Sequence, residues 1–299
     1  SIPYVGQIVQ AAIDYGLHNP VNTEADGSGI TTWDCVYFGH YLQEDTNGDS
    51  TVNSSDTKQP IKWRVLSVDG DDAFLMADQG LDCKPYHGSN NDVTWEISTL
   101  RSWLNGYDAS YNTVGKDYSS NNFIDAAFTA EEQNAILPGQ VENADNPSYG
   151  TEGGNSTTDK IYLLSIEEVS NAAYGFNSKF ACISATREMR LTAYAGQRGV
   201  YVSTSTGYAG NGYWWLRSPG SSSSDASEVY SDGGGIYDYG PVNHGIVAVR
   251  PVLHLNLSYS NLWSYAGRVS SDKRENIHDP QVAGDGTVTW DCVYFGNYL

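Results

Sequence analysis

Basic residues are scarce in this chain: 16 Lys and Arg stand against 36 Asp and Glu in 299 residues, a formal net charge of −20. A nucleic-acid partner needs a basic face to neutralise phosphate, so that class is excluded. Long apolar runs are missing too, and no stretch approaches the roughly 18 residues of a membrane-spanning helix, so no membrane span is expected in this segment. Nor does a charged-then-apolar leader open the chain, which starts abruptly at Ser1 and reads as processed or truncated. Only four cysteines occur (Cys35, Cys83, Cys182, Cys292), with neither CxxC nor Cys/His metal spacing. They are expected to be buried free thiols, one disulfide being the alternative.

Signatures of catalysis are absent as well. The chain has no GxSxG, HExxH, P-loop or helix-opening GxGxxG, and its six histidines form no pair at ligand spacing. The neighbouring carboxylates Glu131/Glu132 and Glu167/Glu168 fall at expected helix N-termini, where the helix dipole accounts for them better than a glycosidase role does. Tyr86 and His87, between Asp82 and Asp92, read as a solvated loop. A non-enzymatic protein is expected.

What the chain has in quantity is aromatic residues and small polar ones, with 22 Tyr, 8 Trp and 31 Gly. They concentrate at 213–257. Dense apolar strands at 213–217 and 246–255 enclose a run of Ser, Gly, Asp, Tyr and Asn. Within it, alternation at 226–231 and 236–239 around Gly233-Gly234-Gly235 predicts a hairpin. Tyr, Ser, Gly and Asn are the residues of antibody-type binding loops, combining rigid aromatic area with adaptable hydrogen bonding. Residues 221–246 are therefore expected to form a ligand-binding face. Its contacts would be Asp225, Ser227, Tyr230, Asp232, Tyr237, Tyr239, Asn243 and His244, with the tyrosines outward as anchors. Arg217 and Arg250 end the flanking strands and are expected to tie loop carbonyls beneath this face.

The rest of the chain supplies a scaffold. Residues 2–17 carry a helical apolar stripe; strands are expected at 33–39, 61–68 and 73–77 as a meander, and at 160–164. Helices are expected at 94–104 (Leu100, Trp103 and Leu104 inward), 129–137, 165–175 and 186–195. Capping-box spacing supports two of them, at Thr129/Glu132 and Ser165/Glu168. Residues 138–159 read as a long surface loop. Strands and helices alternate without a repeating βαβ unit, so the fold class is α+β.

Two further patterns stand out. Residues 32–42 read TWDCVYFGHYL and residues 289–299 read TWDCVYFGNYL, an offset of 257 residues. This predicts one module over 1–275 and, over 276–299, a linker and the first strand of a following, truncated copy. The chain is expected to be monomeric unless that strand pairs in trans. The second pattern is Asp45, Asn47, Asp49, Thr51, Asn53 and Asp56, oxygen-bearing residues at positions 1, 3, 5, 7, 9 and 12 of a loop, the spacing for calcium. The loop resembles the calcium loops of dockerin modules. It departs from the EF-hand in carrying Gly48 at position 4 and Ser50 at position 6, and in lying between strands. Calcium with a structural role is expected, far along the chain from the binding face.

The blocks WDCVYFG, IKWRVLSVDG, LRSWLNG, YLLSIEEVSNAAYGF, WWLRSPG and VAVRPVLHLNL, spread over 30–262, resemble a family of uncharacterised secreted modules of gut bacteria. The last two also resemble the closing segment of C-type-lectin-like folds, which include formylglycine-generating enzymes and the variable proteins of diversity-generating retroelements. The resemblance implies a C-type-lectin-like fold of twisted antiparallel sheets with flanking helices and long loops. It also implies a secreted or cell-surface protein that adheres to a protein or glycan ligand, the alternative being a structural spacer. The formylglycine activity requires a reactive cysteine pair that Cys182 and Cys292 do not supply. Adenine-directed mutagenesis of AAC codons cannot create Lys, Gln, Glu, Met or Trp. Of these, only Glu228 occurs in 221–246, where the chain average gives about three.

Overall fold

The computed structural model describes residues 15–236 and 240–272, with the backbone of 281–282 and 288–289. Of the expected helix at 2–17, residues 2–14 lie outside the described residues and 15–17 are not helical; the contacts at Tyr237 and Tyr239 and Cys292 also lie outside them.

Along the chain run β1 (Val21–Asn22), β2 (Thr31–Tyr41), β3 (Gln59–Asp69), β4 (Asp72–Ala77) and β5 (Asp82–Cys83). Then come α1 (Thr99–Asn105), α2 (Phe123–Ala127), α3 (Ala130–Ala135), β6 (Ile136–Leu137), β7 (Gly139–Val141), β8 (Thr157–Asp159) and β9 (Ile161–Tyr162). The last part holds α4 (Ala193–Gln197), β10 (Trp214–Pro219), β11 (Ala226–Val229), β12 (Gly235–Ile236), β13 (Ala248–Val249), β14 (Val252–Asn256) and β15 (Ser264–Ser270). The class is α+β, with mostly antiparallel sheets and few helices. No helix among the described residues is long and apolar enough to cross a membrane.

The expected meander forms: β2, β3 and β4 are antiparallel neighbours, and β14 lies beside β4. β15 returns to β2, pairing Ser264 with Tyr37 and Ser270 with Thr32, so the last long strand closes on the first. A second sheet runs β12-β11-β10-β13-β5. The two sheets are joined directly, since β13 and β14 belong to different sheets and only Arg250-Pro251 separates them. Proline can neither donate to a ladder nor leave its φ near −65°, so the chain changes sheets there. Strands this deep read as continuous apolar runs, because both faces are covered. Trp33, Trp63, Trp214 and Trp215 have no exposed surface.

Helices are short and their ends explicit. α1 starts at Ser98, whose hydroxyl accepts from Arg101 N at 3.1 Å, and it buries Leu100, Trp103 and Leu104 as expected. The Thr129/Glu132 capping box forms at α3. Ser165 and Glu168 also exchange both capping hydrogen bonds, yet the chain beyond them makes two 3₁₀ turns and no α-helix. Asn171 caps the second turn, and Gly175 ends it at φ +85°, where a Cβ would lie 2.8 Å from the Trp33 indole nitrogen. The expected helix at 186–195 shrinks to α4. Residues 138–159 are not a plain surface loop either: β7 pairs with β8, and Asn146, 1% exposed, donates to Pro219 O and Gly220 O.

Arg187 explains the lost helix. Its guanidinium is fully buried and reaches six backbone carbonyls, those of Gly233, Val169, Asn177, Lys179, Phe180 and Cys182. A helical path through 186–192 would carry this side chain away from the loops it ties together. Cys35, Cys83 and Cys182 are free thiols, and burial pushes the first two up to about 12 and about 11. Gln281 pairs with Thr289 and Val282 with Val288, and Val21 pairs with Thr32 and Asn22 with Thr31 across a connection three residues longer.

Replacing Arg187 by Met keeps the bulk and removes every donor, leaving buried carbonyls unsatisfied. The expected loss in urea unfolding is at least about 3 kcal/mol, whereas Arg190→Met on the neighbouring exposed side chain should change little.

Candidate functional site

β10 and β11 form the floor of the expected binding face. Trp214 pairs with Val229 and Trp215 with Glu228, while β12 pairs with β11 on its far side. Alternation then puts Tyr213, Trp215, Glu228 and Tyr230 on one face and Trp214, Ser227 and Val229 on the other. One row beyond the Trp214–Val229 pair, the rings of Tyr213 and Tyr230 stack at 4.5 Å. Tyr201, arriving from the loop after α4, stacks on Tyr213 at 4.6 Å. Three tyrosines therefore form a continuous stack whose outer ring, Tyr201, is 40% exposed. Its backbone N–H donates to Ile246 O, which ties the stack to the loop carrying Asn243 and His244.

The expected contacts divide into two groups. Asn243 and His244 are exposed on the turn that follows Pro241. Tyr230 is half-buried in the stack, so it is part of a wall as well as an anchor. Asp225 is half-buried and takes hydrogen bonds from the hydroxyls of Ser222 (2.6 Å) and Ser221 (3.4 Å). Asp232 accepts from Gly234 N at 2.9 Å, shaping the hairpin turn. Ser227 is fully buried and donates to Pro219 O, so it braces the floor and does not face solvent. Tyr86 and His87, read as a solvated loop, are buried: Tyr86 donates to Arg217 O, and His87 packs against Thr99 and Thr113.

Glu228 is the unusual member. It is 4% exposed, and its Oε2 has no hydrogen-bond partner among the described residues. Burial alone pushes its carboxyl up to about 8. It also raises the Tyr213 phenol, after burial and the two stacked tyrosines. A buried titratable group with a displaced pKa and no structural partner marks a candidate functional position. Its sequence signal was slight, a single long acidic side chain on the alternating strand 226–231. Tyr201 gave none, being brought in by the loop between α4 and β10.

The other buried charges are committed to structure. Arg217 holds Leu163 O, Glu142 O and the Glu168 carboxylate. Arg250 holds Ala77 O and Asp78 O, lies 4.9 Å over the Trp214 ring, and leaves Nη1 unpartnered. Asp159 accepts from Arg101, Trp95, Tyr107 and Thr157, and Asp82 from Tyr41 and its neighbouring N–H.

The acidic loop at 45–56 is wound by its own carboxylates. Asp45 accepts from the N–H groups of Asn47, Gly48 and Ser50; Asp49 accepts from Thr51 N, and Asn47 Oδ1 from Asp49 N. Asp56 accepts from Thr46 N, Asn47 N and Asn53 N, which holds its carboxyl below the usual range. Asn53 Oδ1 in turn accepts from Ser55 N. Ser50 takes φ +70°, the left-handed conformation that an EF-hand loop assigns to glycine at its sixth position. Gln197 at the end of α4 clamps the loop, accepting from Val52 N at 2.8 Å and donating to Ser50 O. Among the described residues, no three His, Cys, Asp or Glu side chains converge as a metal cluster.

A family model described as Domain of unknown function (DUF6273) matches residues 70–257. The chain belongs to that family. The DUF6273 match runs from the β3–β4 turn through β14 and so includes the tyrosine stack, Glu228 and the bracing arginines. No curated protein and no solved structure matches the chain.

The raised carboxyl of Glu228 makes stability pH-dependent. The folded state retains a proton that the unfolded chain releases near pH 4.5, so the stabilisation is full below that value. It is lost as pH rises towards about 8, on the order of 5 kcal/mol in all. Urea unfolding of Glu228→Gln should accordingly match the parent at pH 4 and exceed it at pH 8.5. Equal stability at both pH values would show that the carboxyl is solvated. Separately, Ser50→Gly should raise stability by about 1 kcal/mol by relieving the left-handed φ.

Proposed function

We propose that this DUF6273 chain is a non-enzymatic ligand-binding or adhesion module of a secreted or cell-surface protein. The observation carrying the proposal is the Tyr201–Tyr213–Tyr230 stack, which presents a rigid aromatic surface beside the exposed Asn243, His244 and Ile246. Aromatic side chains fixed in advance lose little entropy on binding, while neighbouring polar loops adapt to the ligand. The buried carboxylates Asp34, Asp82 and Asp159 are each engaged by structural hydrogen bonds, which favours binding over catalysis. A C-type-lectin-like arrangement is supported by the sequence blocks at 214–220 and 247–257 and by the closure of β15 on β2.

A spacer role is the second reading, favoured by the repeated hairpin. Thr289 and Thr32 each pair with a short strand preceding them, across connections that differ by three residues, as expected if a related copy of the module starts there. Arrays of glycans and extracellular proteins discriminate the two readings. A binding module should retain a ligand that Tyr201→Ala releases; a spacer should retain none. If the face is genetically diversified, sibling genes should vary at Ser222, Ser223, Asn243 and His244 and stay fixed over buried 226–229. Variation spread evenly over all surface loops would remove that part of the proposal.

We further propose that the 45–56 loop holds calcium as a structural ion. The donors are all oxygens, three of the side chains are carboxylates, and the sixth position already has the required φ. Replacing Asp45 and Asp49 together by Ala should abolish any calcium-induced rise in melting temperature. Identical melting of the parent in calcium and in chelator would end this proposal.

A further inference from the structure

Strand β2 lies in a slot between β3 and β15, and the chain carries a second segment of nearly the same sequence. Residues 289–299 repeat 32–42 with a single difference, Asn297 for His40, and 290–299 lie outside the described residues. What seats β2 can be compared position by position with what the copy offers. The Trp33 indole donates to Tyr174 O at 3.0 Å, and the Tyr41 hydroxyl donates to Asp82 at 2.7 Å. The Phe38 and Phe128 rings pack with centroids 5.1 Å apart, and Asp34 accepts from Arg268 of β15 at 2.9 Å. Gly39 takes φ +67°, and a Cβ there would meet the Phe128 ring at 2.4 Å. The copy has the same residue at each of these positions: Trp290, Tyr298, Phe295, Asp291 and Gly296. Its one difference falls at His40, which is exposed.

We propose that 289–299 is a second β2, which can take the slot between β3 and β15 of its own module while the first β2 swings out. The connection allows it. β15 ends at Ser270, opposite Thr32, and only 271–288 separate it from Thr289. The copy can therefore fold back antiparallel on β15, at a small cost in loop closure. Every register pair that β15 and β3 make with 32–41 has a counterpart in 289–298. Thr289 is already paired with Gln281 on a short preceding strand, as Thr32 is with Val21, so the incoming strand brings its own equivalent of β1.

The two arrangements are not equal in free energy. Residues 15–31 add contacts for the first strand alone. Leu17 is buried, Ser178 N donates to Asp26 O, and Thr31 Oγ1 donates to Gly175 O, where the copy has Val288. These contacts keep β2 in place in the parent and make the copy the minor occupant, an exchange of like elements as in domain swapping. In an array of such modules a released β2 is the incoming strand for the module before it, so neighbours are joined through their sheets as well as through a linker. The exchange is independent of what the tyrosine face binds.

The test uses the whole chain and follows Cys35 and Cys292 separately, by iodoacetamide labelling and peptide mass spectrometry. Whichever strand fills the slot buries its cysteine, as Cys35 is buried here with no exposed surface. Gly39→Val spoils the first strand by putting a β-branched side chain at positive φ against Phe128. This variant should still unfold cooperatively, at a lower Tm, and remain monomeric by size exclusion. Its Cys35 should label freely, and its Cys292 about tenfold more slowly than in the unfolded chain, or slower still. Gly39→Val combined with Gly296→Val should not fold. Gly296→Val alone should melt as the parent does, but its Cys35 should label more slowly than the parent's because the exchange route is closed. The proposal is overturned if Gly39→Val unfolds as the double variant does, if it folds with Cys35 still protected, or if it folds only as an oligomer. It is overturned equally if Gly296→Val leaves the labelling rate of Cys35 unchanged.

Discussion

The fold depends on buried guanidinium groups. Much of this chain is neither helix nor strand, and irregular backbone placed in a core has carbonyls that no ladder satisfies. Arg187 alone reaches six of them, drawing together residues 169–182 and the Gly233 turn. Arg217 joins the ends of β7 and β9 to Glu168, and Arg250 sits at the crossing of the two sheets, against Trp214. Five donors in a fixed plane can reach several carbonyls at once, which a lysine's compact ammonium cannot do. Loops held in this way can be long and rich in Ser and Gly on their outer side without losing definition within. That is the condition a pre-formed binding surface requires.

The two regions that the sequence suggests are separate share a support. The acidic loop is clamped by Gln197, the last residue of α4, and four residues later the same chain supplies Tyr201 to the aromatic stack. The loop and the proposed face are thus both tied to the short segment 197–201 although they are distant in sequence. Anything that orders residues 45–56 also orders the segment from which the outer tyrosine projects.

The parts of this architecture that were legible in the sequence are those governed by local rules. Strands β2 and β3 are long runs rich in β-branched and aromatic residues, β4 and β14 short apolar ones, and the capping boxes at Thr129 and Ser165 formed as their spacing indicates. The Ala226–Val229 hairpin was readable from alternation and three glycines. What was not legible depends on contacts between distant residues. Residues 186–195 have helical composition, but Arg187 is committed to carbonyls from 169–182 and 233, and Arg190 and Leu191 bridge to Asn211 and Gly80. The inward set of Ser227 and Glu228 follows from the register with β10, which local sequence does not encode. Tyr201 joins Tyr213 by the path of a loop, and the Tyr86-His87 segment is buried because Val242 and Arg217 close over it.

The position of β14 has a consequence for how the chain reaches this state. It lies between β4 and the short strands β6 and β9, one place in from the edge of the larger sheet, yet it is formed by residues 252–256, far along the chain from β4. β15, which seals the opposite side of β2, comes later still. A nascent chain therefore carries β2, β3 and β4 as an open-edged meander while nearly two hundred further residues are made, and exposed edges are sites of mispairing. The native sheet cannot close by successive local additions, because β14 and β15 both join strands made much earlier. Contacts of such long sequence separation make folding slow. The larger sheet is complete only once residues 252–270 have joined the meander.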